Sequence, residues 1–375
     1  MDEPAYPAAH AAAAVVDAFL RRRTAVADGD AIPLPEADWV AAVIDAAFWA
    51  SLLRMEGRSP RISLALAPPD IDGQPMMFER PRRLTPDHLN RLAPAVERPG
   101  VHLGVWLTDG ELRVWGAPRT LPAHCVVLEV VEPGLMVLKY NRGSEFGKFG
   151  NIAVLSGHRV RVVDERTDRL ADRPELHEVL LGLEADTPSV HGGGTLVQLA
   201  ISMRAHGRGG SLLVVPDGTE AWRESIVQPV SYAISPPFSR FGDLLTMPVD
   251  ERERSGDHDG IGRLVETIAG LTAVDGATIM SDRFVLLAFG AKIGRREGHG
   301  AVERVVVTEP VDDDVPSLLM PTQLGGTRHL SAAQFVHDQH DAIALVASQD
   351  GRFTVFAWSA ARSMVRAHRI EALLL

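Results

Sequence analysis

The sequence predicts an α/β protein, α+β overall, in which a small α+β domain precedes a larger three-layer domain with a mixed central sheet flanked by helices. Three observations support this fold class. The chain has 375 residues, which is more than one domain usually holds. Short β segments dominate from Gly100 to Asp164, whereas helical and strand-like segments alternate after residue 190. The run 211–216 is almost entirely apolar, as expected of a strand with both faces covered.

The N-terminal domain, predicted over residues 1–165, begins with two helices. Residues 8–23 are rich in alanine, and residues 36–55 repeat apolar side chains at helical spacing. A series of β segments joined by turns follows. These strands are expected at 62–67, 101–107, 112–115, 126–131, 135–140, 152–155 and 160–163. The segment Tyr140–Asn151 is polar, Gly-rich and aromatic, so it either joins two strands or binds a ligand.

Residues 166–190 are charged, contain two prolines and are predicted to be a linker. The second domain is predicted over residues 191–375. Its helices are expected at 195–206, 261–271 and 331–340, and its strands at 211–216, 276–280, 284–289, 342–347 and 353–358. The apolar run 271–279 is predicted to be a buried strand that carries Asp275, and Ser331 is predicted to open and cap its helix.

Composition excludes several classes of protein. The formal net charge of -11 argues against a binder of nucleic-acid polymers, which needs basic stripes. The single cysteine, Cys125, allows no intrachain disulfide and is expected to be a small core residue. No apolar run reaches the roughly 18 residues of a membrane span, and the apolar stretch 8–20 precedes its arginines, the reverse of a signal peptide. We therefore expect a cytoplasmic protein without a membrane partner.

Two short blocks in the second domain carry the chemistry. The first is Asp275-Gly276-Ala277, and the second is GGTRHLSA, Gly325–Ala332, about fifty residues later. An acid beside a basic pair at a helix N-terminus suits a polyphosphate and its metal ion. Either block alone is also typical of a turn or a capped helix start, so spacing by itself leaves a structural role open.

The order and flanks of the two blocks resemble the diadenylate cyclase (DAC, or DisA-N-type) domain, whose signature is Asp-Gly-Ala followed by a Thr-Arg-His segment. The resemblance covers roughly Gly192 to Trp358 and runs through LVQLAISMRAHGRGGSLLVVP, LTAVDGATIMSDRFVLLAFGAKI and PTQLGGTRHLSAAQFVHDQHDAIALVASQDGRFTVF. It implies that two such domains meet face to face in a homo-oligomer, each holding one ATP. Two 3′-hydroxyl groups then attack two α-phosphates to give cyclic di-AMP and two pyrophosphates, with a divalent metal ion (Mg²⁺ or Mn²⁺) as cofactor.

The resemblance also implies roles for individual residues. Asp275 is expected to hold the metal ion or receive the proton of the attacking hydroxyl, Arg328 to grip phosphate with its guanidinium fork, and His329 to donate a hydrogen bond or position the phosphate. These three are the predicted catalytic residues. The residues predicted to bind the nucleotide are Gly276, Ala277, Gly325, Gly326, Thr327, Ser331 and Asp350.

The sequence departs from the family at the second block. Leu330 stands where the family has a second arginine, so one cation is missing unless Lys292, Arg295 or Arg296 supplies it. An acidic residue that often precedes the block is also absent. The departures leave an alternative open, namely a catalytically weakened DAC-like domain that acts as a nucleotide-binding sensor module.

The N-terminal domain resembles the proposed sensor domains of the DACNV type that precede DAC domains, through motifs such as VWLTDGELRVWG and VEPGLMVLKYNRG. This resemblance implies regulation by an unidentified signal. Elsewhere, His337, Asp338, His340 and Asp341 cluster at a helix end, for which a solvated C-terminus is expected and a metal site is the alternative. A hydrolase is excluded because no Gly-x-Ser-x-Gly segment exists to match the HGGG run at 191–194.

Overall fold

The computed structural model describes residues 5–24, 33–54, 57–71, 73–97, 100–141, 149–163, 192–248, 251, 260–311, 315–349 and 351–370. The chain divides into two compact units, Met1–Asp164 and Glu165–Leu374. Each unit is mixed α/β and is built on a mixed sheet. Among the described helices, none combines the length and apolar character that a bilayer crossing requires.

The helices of the first unit are α1 (Ala9–Thr24), α2 (Ala37–Leu52) and α3 (Pro86–Leu92). In α1 the buried residues recur every three or four positions, which places them on one face of the helix. These residues are Ala9, Ala12, Ala13, Val16 and Leu20. The first turn of α3 is fixed by a proline and by a cap, because the Thr85 hydroxyl accepts a hydrogen bond from the backbone N–H of His88 at 3.3 Å.

The strands of the first unit are β1 (Ile62–Leu66), β2 (Met76–Arg83), β3 (Leu103–Thr108), β4 (Glu111–Ala117), β5 (Val126–Glu132), β6 (Leu135–Asn141), β7 (Phe149–Ser156) and β8 (Arg159–Val162). They form one sheet in the order β2-β4-β3-β1-β5-β6-β7-β8. β1 runs parallel to β3 and antiparallel to β5. The sequence did not predict β2, because Pro81 indicated a loop. An edge strand tolerates that proline, since one side of it needs no ladder partner.

Cys125 lies buried immediately before β5. It belongs to a small apolar cluster with Ala65, Ala67 and Val127. Burial raises the pKa of its thiol to about 12, because the thiolate loses its hydration. The prediction of a small core residue is therefore confirmed.

The helices of the second unit are α4 (Gly192–Ala205), α5 (Arg240–Thr246), α6 (Gly260–Thr272), α7 (Pro321–Leu324) and α8 (Thr327–Asp338). Its strands are β9 (Gly210–Val215), β10 (Tyr232–Phe238), β11 (Ala277–Ser281), β12 (Leu286–Ala291), β13 (Val305–Thr308), β14 (Ser317–Leu319), β15 (Ile343–Ala347), β16 (Phe353–Ser359) and β17 (Met364–Arg369). The sheet order is β10-β12-β11-β9-β15-β16-β17-β13-β14. The pairs β9/β11 and β13/β17 are parallel, and the other neighbours are antiparallel.

Helices cover both faces of this second sheet. Along β9, Leu212 and Val214 pack in one cluster with residues of α4 and α6. Leu213 and Val215 point the other way and pack in a second cluster with residues of α8. Because successive strand residues face opposite sides, the apolar run 210–215 is buried along its whole length, as the sequence predicted.

Two local predictions around the motif blocks are wrong. The run 271–279 is not one strand, because α6 continues to Thr272 and β11 begins only at Ala277. Asp275 therefore lies in the turn between them. The last helix begins at Thr327 rather than Ser331, with Gly326 as its N-cap. Ser331 lies in the second turn of α8 and caps nothing.

Candidate functional site

Three strand ends meet at one edge of the second sheet, which we name the Gly210 edge. The parallel pairing of β9 and β11 sets Leu212 opposite Thr278. β9 begins at Gly210 and β11 at Ala277, so the two strands start at the same edge. The antiparallel pairing of β9 and β15 sets Gly210 opposite Ala347. The starts of β9 and β11 and the end of β15 thus lie side by side.

Asp275 is the residue of the first block that presents its side chain to solvent. Gly276 has a φ of +109° and approaches the neighbouring strand so closely that a Cβ there would lie 2.5 Å from the backbone carbon of Gly290. Ala277 is 1% exposed and belongs to the core. The two small residues therefore serve the packing of β11 against β12, whereas they were predicted to admit a nucleotide.

Arg328 reaches the same edge from α8. Gly209 precedes β9 with a φ of +71°, and a Cβ on it would lie 3.1 Å from Nη1 of Arg328. Gly209 lies one residue before β9, and Asp275 lies two residues before β11, the parallel neighbour of β9. Arg328 is partly exposed, and no ion pair joins it to another described residue. The fold thus brings the two motif blocks to a single edge of the sheet.

The N-terminus of α8 is open. Its N-cap, Gly326, offers no side-chain cap, and a Cβ built there would meet nothing within 4 Å. The first helical residue, Thr327, is exposed, and Ser331 follows one turn later, partly exposed. Uncapped backbone N–H groups and the helix dipole favour an anion at this position.

His329 faces the interior instead. It is 2% exposed, and its Nε2 lies 3.4 Å from the Thr354 hydroxyl on β16. The ring stands edge-on to Phe356, and any side chain on Gly325 would overlap it. Gly325 therefore makes room for the imidazole. This placement differs from the predicted contact between His329 and a phosphate, because the ring points into the sheet.

Arg296 cannot supply the cation missing at Leu330. Its side chain pairs with Glu224 at 2.6 Å, and its backbone N–H donates to Asp338 Oδ2 at 2.8 Å. Asp338 is the last residue of α8, so Arg296 contacts the helix end opposite Arg328, which is about 15 Å along the helix axis at 1.5 Å per residue. Asp350, the remaining predicted nucleotide contact, lies outside the described residues.

The turn between α4 and β9 contributes groups that the sequence analysis did not single out. Arg208 is exposed. Its backbone N–H donates to His206 Nδ1 at 3.1 Å, and its carbonyl accepts from Gln349 Nε2 at 3.4 Å. Burial, and secondly the charge of Arg208, lower the pKa of His206. The Gly-Arg-Gly run between a helix and a strand was the available signal, since such runs mark tight turns near strand ends.

Tyr232 was also missed. It begins the edge strand β10, is 51% exposed and stacks on Phe289 with ring centroids 4.7 Å apart. A Cβ on Gly290 would lie 2.7 Å from its ring and 3.4 Å from the carbonyl oxygen of Asp275. A half-exposed aromatic face thus lies close to the acidic residue. An isolated tyrosine before two prolines carries no sequence signal for such a position.

Comparison with known proteins supports the N-terminal prediction. Residues 30–119 match the model of a family described as "Probable sensor domain DACNV", which supports a sensing role for the first unit. No curated protein matches the chain. The crystal structure of a hypothetical membrane spanning protein from Bacillus cereus is similar over 53% of this chain and 74% of that one, at 14% identity. Its TM-score of 0.28 is too low to establish a common fold.

The Gly210 edge can accommodate a metal ion only in a limited way. Among the described residues, no group of three or more His, Cys, Asp or Glu could hold a metal ion. Among the described residues of the two motif blocks, Asp275 brings an exposed carboxylate to the edge. Mg²⁺ is commonly held by one or two carboxylates together with substrate phosphates and waters. Asp275 therefore fits an ion that arrives with a polyphosphate.

Proposed function

We propose that the second unit is a nucleotidyltransferase, specifically a diadenylate cyclase that condenses two ATP molecules into cyclic di-AMP and two pyrophosphates. The observation that carries the proposal is that exposed Asp275 and Arg328, which forms no ion pair with a described residue, both lie at the Gly210 edge, beside the N-terminus of α8. Nucleotidyl transfer depends mainly on positioning and charge neutralisation. A carboxylate, a guanidinium and free backbone amides are the groups that this chemistry needs.

In the proposed reaction, Arg328 and the first amides of α8 bind the triphosphate and orient its α-phosphate. The 3′-oxygen of one ATP bonds to the α-phosphorus of the other, and the bond from that phosphorus to its bridging oxygen breaks, releasing pyrophosphate. Asp275 either accepts the proton of the attacking hydroxyl or holds the divalent ion. When bound, Mg²⁺ or Mn²⁺ supplies neutralisation of the phosphate charge. The same step occurs a second time to close the ring.

The reaction needs two sites, and the chain carries one Asp-Gly-Ala block and one Thr-Arg-His block. We therefore propose a homo-oligomer in which two second units face each other. The rate per chain should rise with protein concentration through the range in which the chains associate. A strictly monomeric protein with full activity at every dilution would contradict this arrangement.

Two observations favour a second candidate, a nucleotide-binding sensor module without turnover. The imidazole of His329 is buried against β16 rather than directed at the Gly210 edge. Leu330 occupies the place of the family's second arginine. A site with fewer phosphate contacts can still bind ATP but stabilises a transition state less. In both candidates the first unit provides the signal input.

One experiment separates these functions. Purified protein is incubated with ATP and Mg²⁺ or Mn²⁺, and the products are identified by mass spectrometry while ATP binding is measured in parallel. Cyclic di-AMP and pyrophosphate in a one-to-two ratio support the cyclase. Saturable ATP binding without a cyclic product supports the sensor module. Absence of both binding and product would show that the Gly210 edge is not a nucleotide site.

A further inference from the structure

We infer that Arg208 is a phosphate-binding residue of the Gly210 edge and replaces the cation that is missing at Leu330. The inference rests on the proposed nucleotide site and adds a third chain segment to it. Arg208 lies 67 residues before Asp275 and 120 before Arg328, so neither motif block includes it. The fold nevertheless fixes it beside both of them.

The turn that carries Arg208 is tied to both motif blocks. On one side, His206 Nε2 lies 3.4 Å from the hydroxyl of Thr272, three residues before Asp275. On the other side, Gly209 lies against the guanidinium of Arg328. Gln349, which follows β15, donates to the Arg208 carbonyl at 3.4 Å. These contacts place residue 208 between the two blocks.

The backbone of Arg208 is held by a neutral imidazole. The Thr272 hydroxyl donates its proton to the carbonyl of Ala269 at 2.6 Å, so it can only accept from Nε2–H of His206. Nδ1 of His206 then keeps its lone pair and accepts the backbone N–H of Arg208 at 3.1 Å. Both ring nitrogens are used, which fixes one tautomer and anchors the turn.

The turn conformation is set by two glycines. Gly207 and Gly209 flank Arg208 with φ values of +64° and +71°, a region in which residues with a Cβ are strained. The arginine therefore sits at the tip of a tight turn whose neighbours carry no side chain. Its own side chain is exposed, and it forms no ion pair with any residue that the structure describes.

The Arg328 guanidinium and the exposed Arg208 thus meet at one short stretch of chain, the turn before β9. Arg328 lies against Gly209, and Arg208 is the residue immediately before it. Two arginines near the backbone amides of the first turn of α8 suit a ligand with several phosphate oxygens, because each guanidinium can bind two phosphate oxygens. The chemical class of ligand is thus a polyphosphate.

The test measures the affinity for an ATP analogue that carries a methylene group in place of the α–β bridging oxygen, so that no turnover occurs. Titration calorimetry with Mg²⁺ compares the wild-type protein with Arg208→Gln and Arg208→Lys. The glutamine variant should lose about ten- to a hundred-fold in affinity, the range for a charged hydrogen bond. The affinity of the lysine variant should lie between those of the wild-type protein and the glutamine variant, because lysine keeps the positive charge but lacks the two-pronged guanidinium.

The matched control is Arg362→Gln. Arg362 is exposed in the turn after β16, at the sheet edge opposite Gly210, and its loss should leave affinity unchanged. Melting temperatures should be equal for all variants, since both arginines are exposed. If the wild-type protein binds the analogue and Arg208→Gln binds it equally well, the inference about Arg208 is overturned while the nucleotide site stands. If the wild-type protein does not bind the analogue, the proposed nucleotide site is wrong, and so is the inference that Arg208 binds phosphate there.

Discussion

The two ends of helix α8 differ in how their polar groups are hydrogen-bonded. At the N-terminal end, Gly326 leaves the first amides without a side-chain cap, and Arg328 has no ion pair among the described residues. At the C-terminal end, Asp338 has a side chain that is 0% exposed. Its carboxylate accepts from Gln334 Nε2 at 2.9 Å and from the Arg296 backbone N–H at 2.8 Å. The N-terminal end thus lacks a side-chain cap, whereas the polar groups at the C-terminal end are hydrogen-bonded to other residues of the protein.

The histidines complete the contrast. His299 and His337 each direct Nδ1 at Asp338 Oδ1, at 3.5 Å and 3.3 Å, and His340 stacks on Trp358. A buried carboxylate with several donors stabilises the structure around it. The expected solvated helix end is therefore wrong at Asp338, and the metal alternative has no support among the described residues. The N-terminal end is where the proposed ligand would bind, whereas the C-terminal end has a structural role.

The largest effect that this comparison predicts is the loss of catalysis in Asp275→Asn. The side chain is exposed, so removing its charge should leave the melting temperature unchanged. The amide can neither take the proton nor hold the metal ion, and the rate should fall by at least about a hundred-fold. Cyclic di-AMP formation is measured by mass spectrometry, with the exposed Glu266→Gln on α6 as the charge-matched control. Wild-type turnover in Asp275→Asn would remove this residue from the mechanism.

At the closed end, Asp338→Ala should lower stability rather than binding. The substitution leaves the Gln334 amide and the Arg296 N–H without their buried acceptor, at a cost of about 2–3 kcal/mol. For a unit of this size the melting temperature should fall by roughly 4–12 °C. ATP affinity, measured well below that temperature, should stay unchanged. Glu297 is an exposed acid next to Arg296, and Glu297→Ala should change neither the melting temperature nor the ATP affinity. A large loss of affinity in a stable Asp338→Ala protein would show that the two ends are coupled.

Leu330→Arg tests whether the open end accepts another cation. Leu330 is 37% exposed, so an arginine at this position should keep its charge in water. The melting temperature should therefore stay unchanged. Affinity for ATP should tighten by up to about ten-fold, and the gain should shrink as salt rises. Leu330→Gln, which removes the apolar side chain without adding charge, is the control. Equal affinity in both variants would show that position 330 does not face the phosphates.

The sequence predicted strands better than it predicted where the motifs sit on them. β9 and β15 were recognised because an apolar run bounded by turn residues has few other interpretations. Asp275 was assigned to a strand because Leu271, Ala273 and Val274 continue the apolar pattern of β11 backwards. In the structure these residues close a helix and form a turn. Periodicity alone cannot separate a helix end from a strand start when both are apolar.

The site was predictable only in part. Asp275 and Arg328 belong to local blocks, and local blocks are visible in a sequence. The burial of His329 depends on Gly325, Thr354 and Phe356, two of which lie on a later strand. Arg208 is held near both blocks by the contacts His206–Thr272 and Gln349–Arg208, which join residues 66 and 141 positions apart. Contacts of this kind are set by tertiary packing, and no periodic pattern encodes them.

The smallest predicted effect concerns the titration of His206. Burial first and the charge of Arg208 second lower its pKa below the ordinary value of 6.5. At pH values between the lowered pKa of the folded protein and 6.5, His206 of the unfolded chain binds a proton, whereas His206 of the folded chain does not. The contribution of His206 to stability is therefore complete above about pH 6.5 and is lost as the pH falls through the folded pKa. Two-dimensional NMR of the imidazole resonances measures this pKa directly.

In Arg208→Ala, the pKa of His206 should rise towards 6.5 without reaching it, because the larger cause, burial, remains. His340 provides an internal control, since its pKa is also lowered, first by burial and then by the charges of His337 and His299. Arg208 is not among those causes, so the titration of His340 should not move. A His206 that titrates at or above 6.5 in the wild-type protein would contradict the neutral tautomer that anchors the turn. An equal shift of both histidines would instead indicate a general change in the fold.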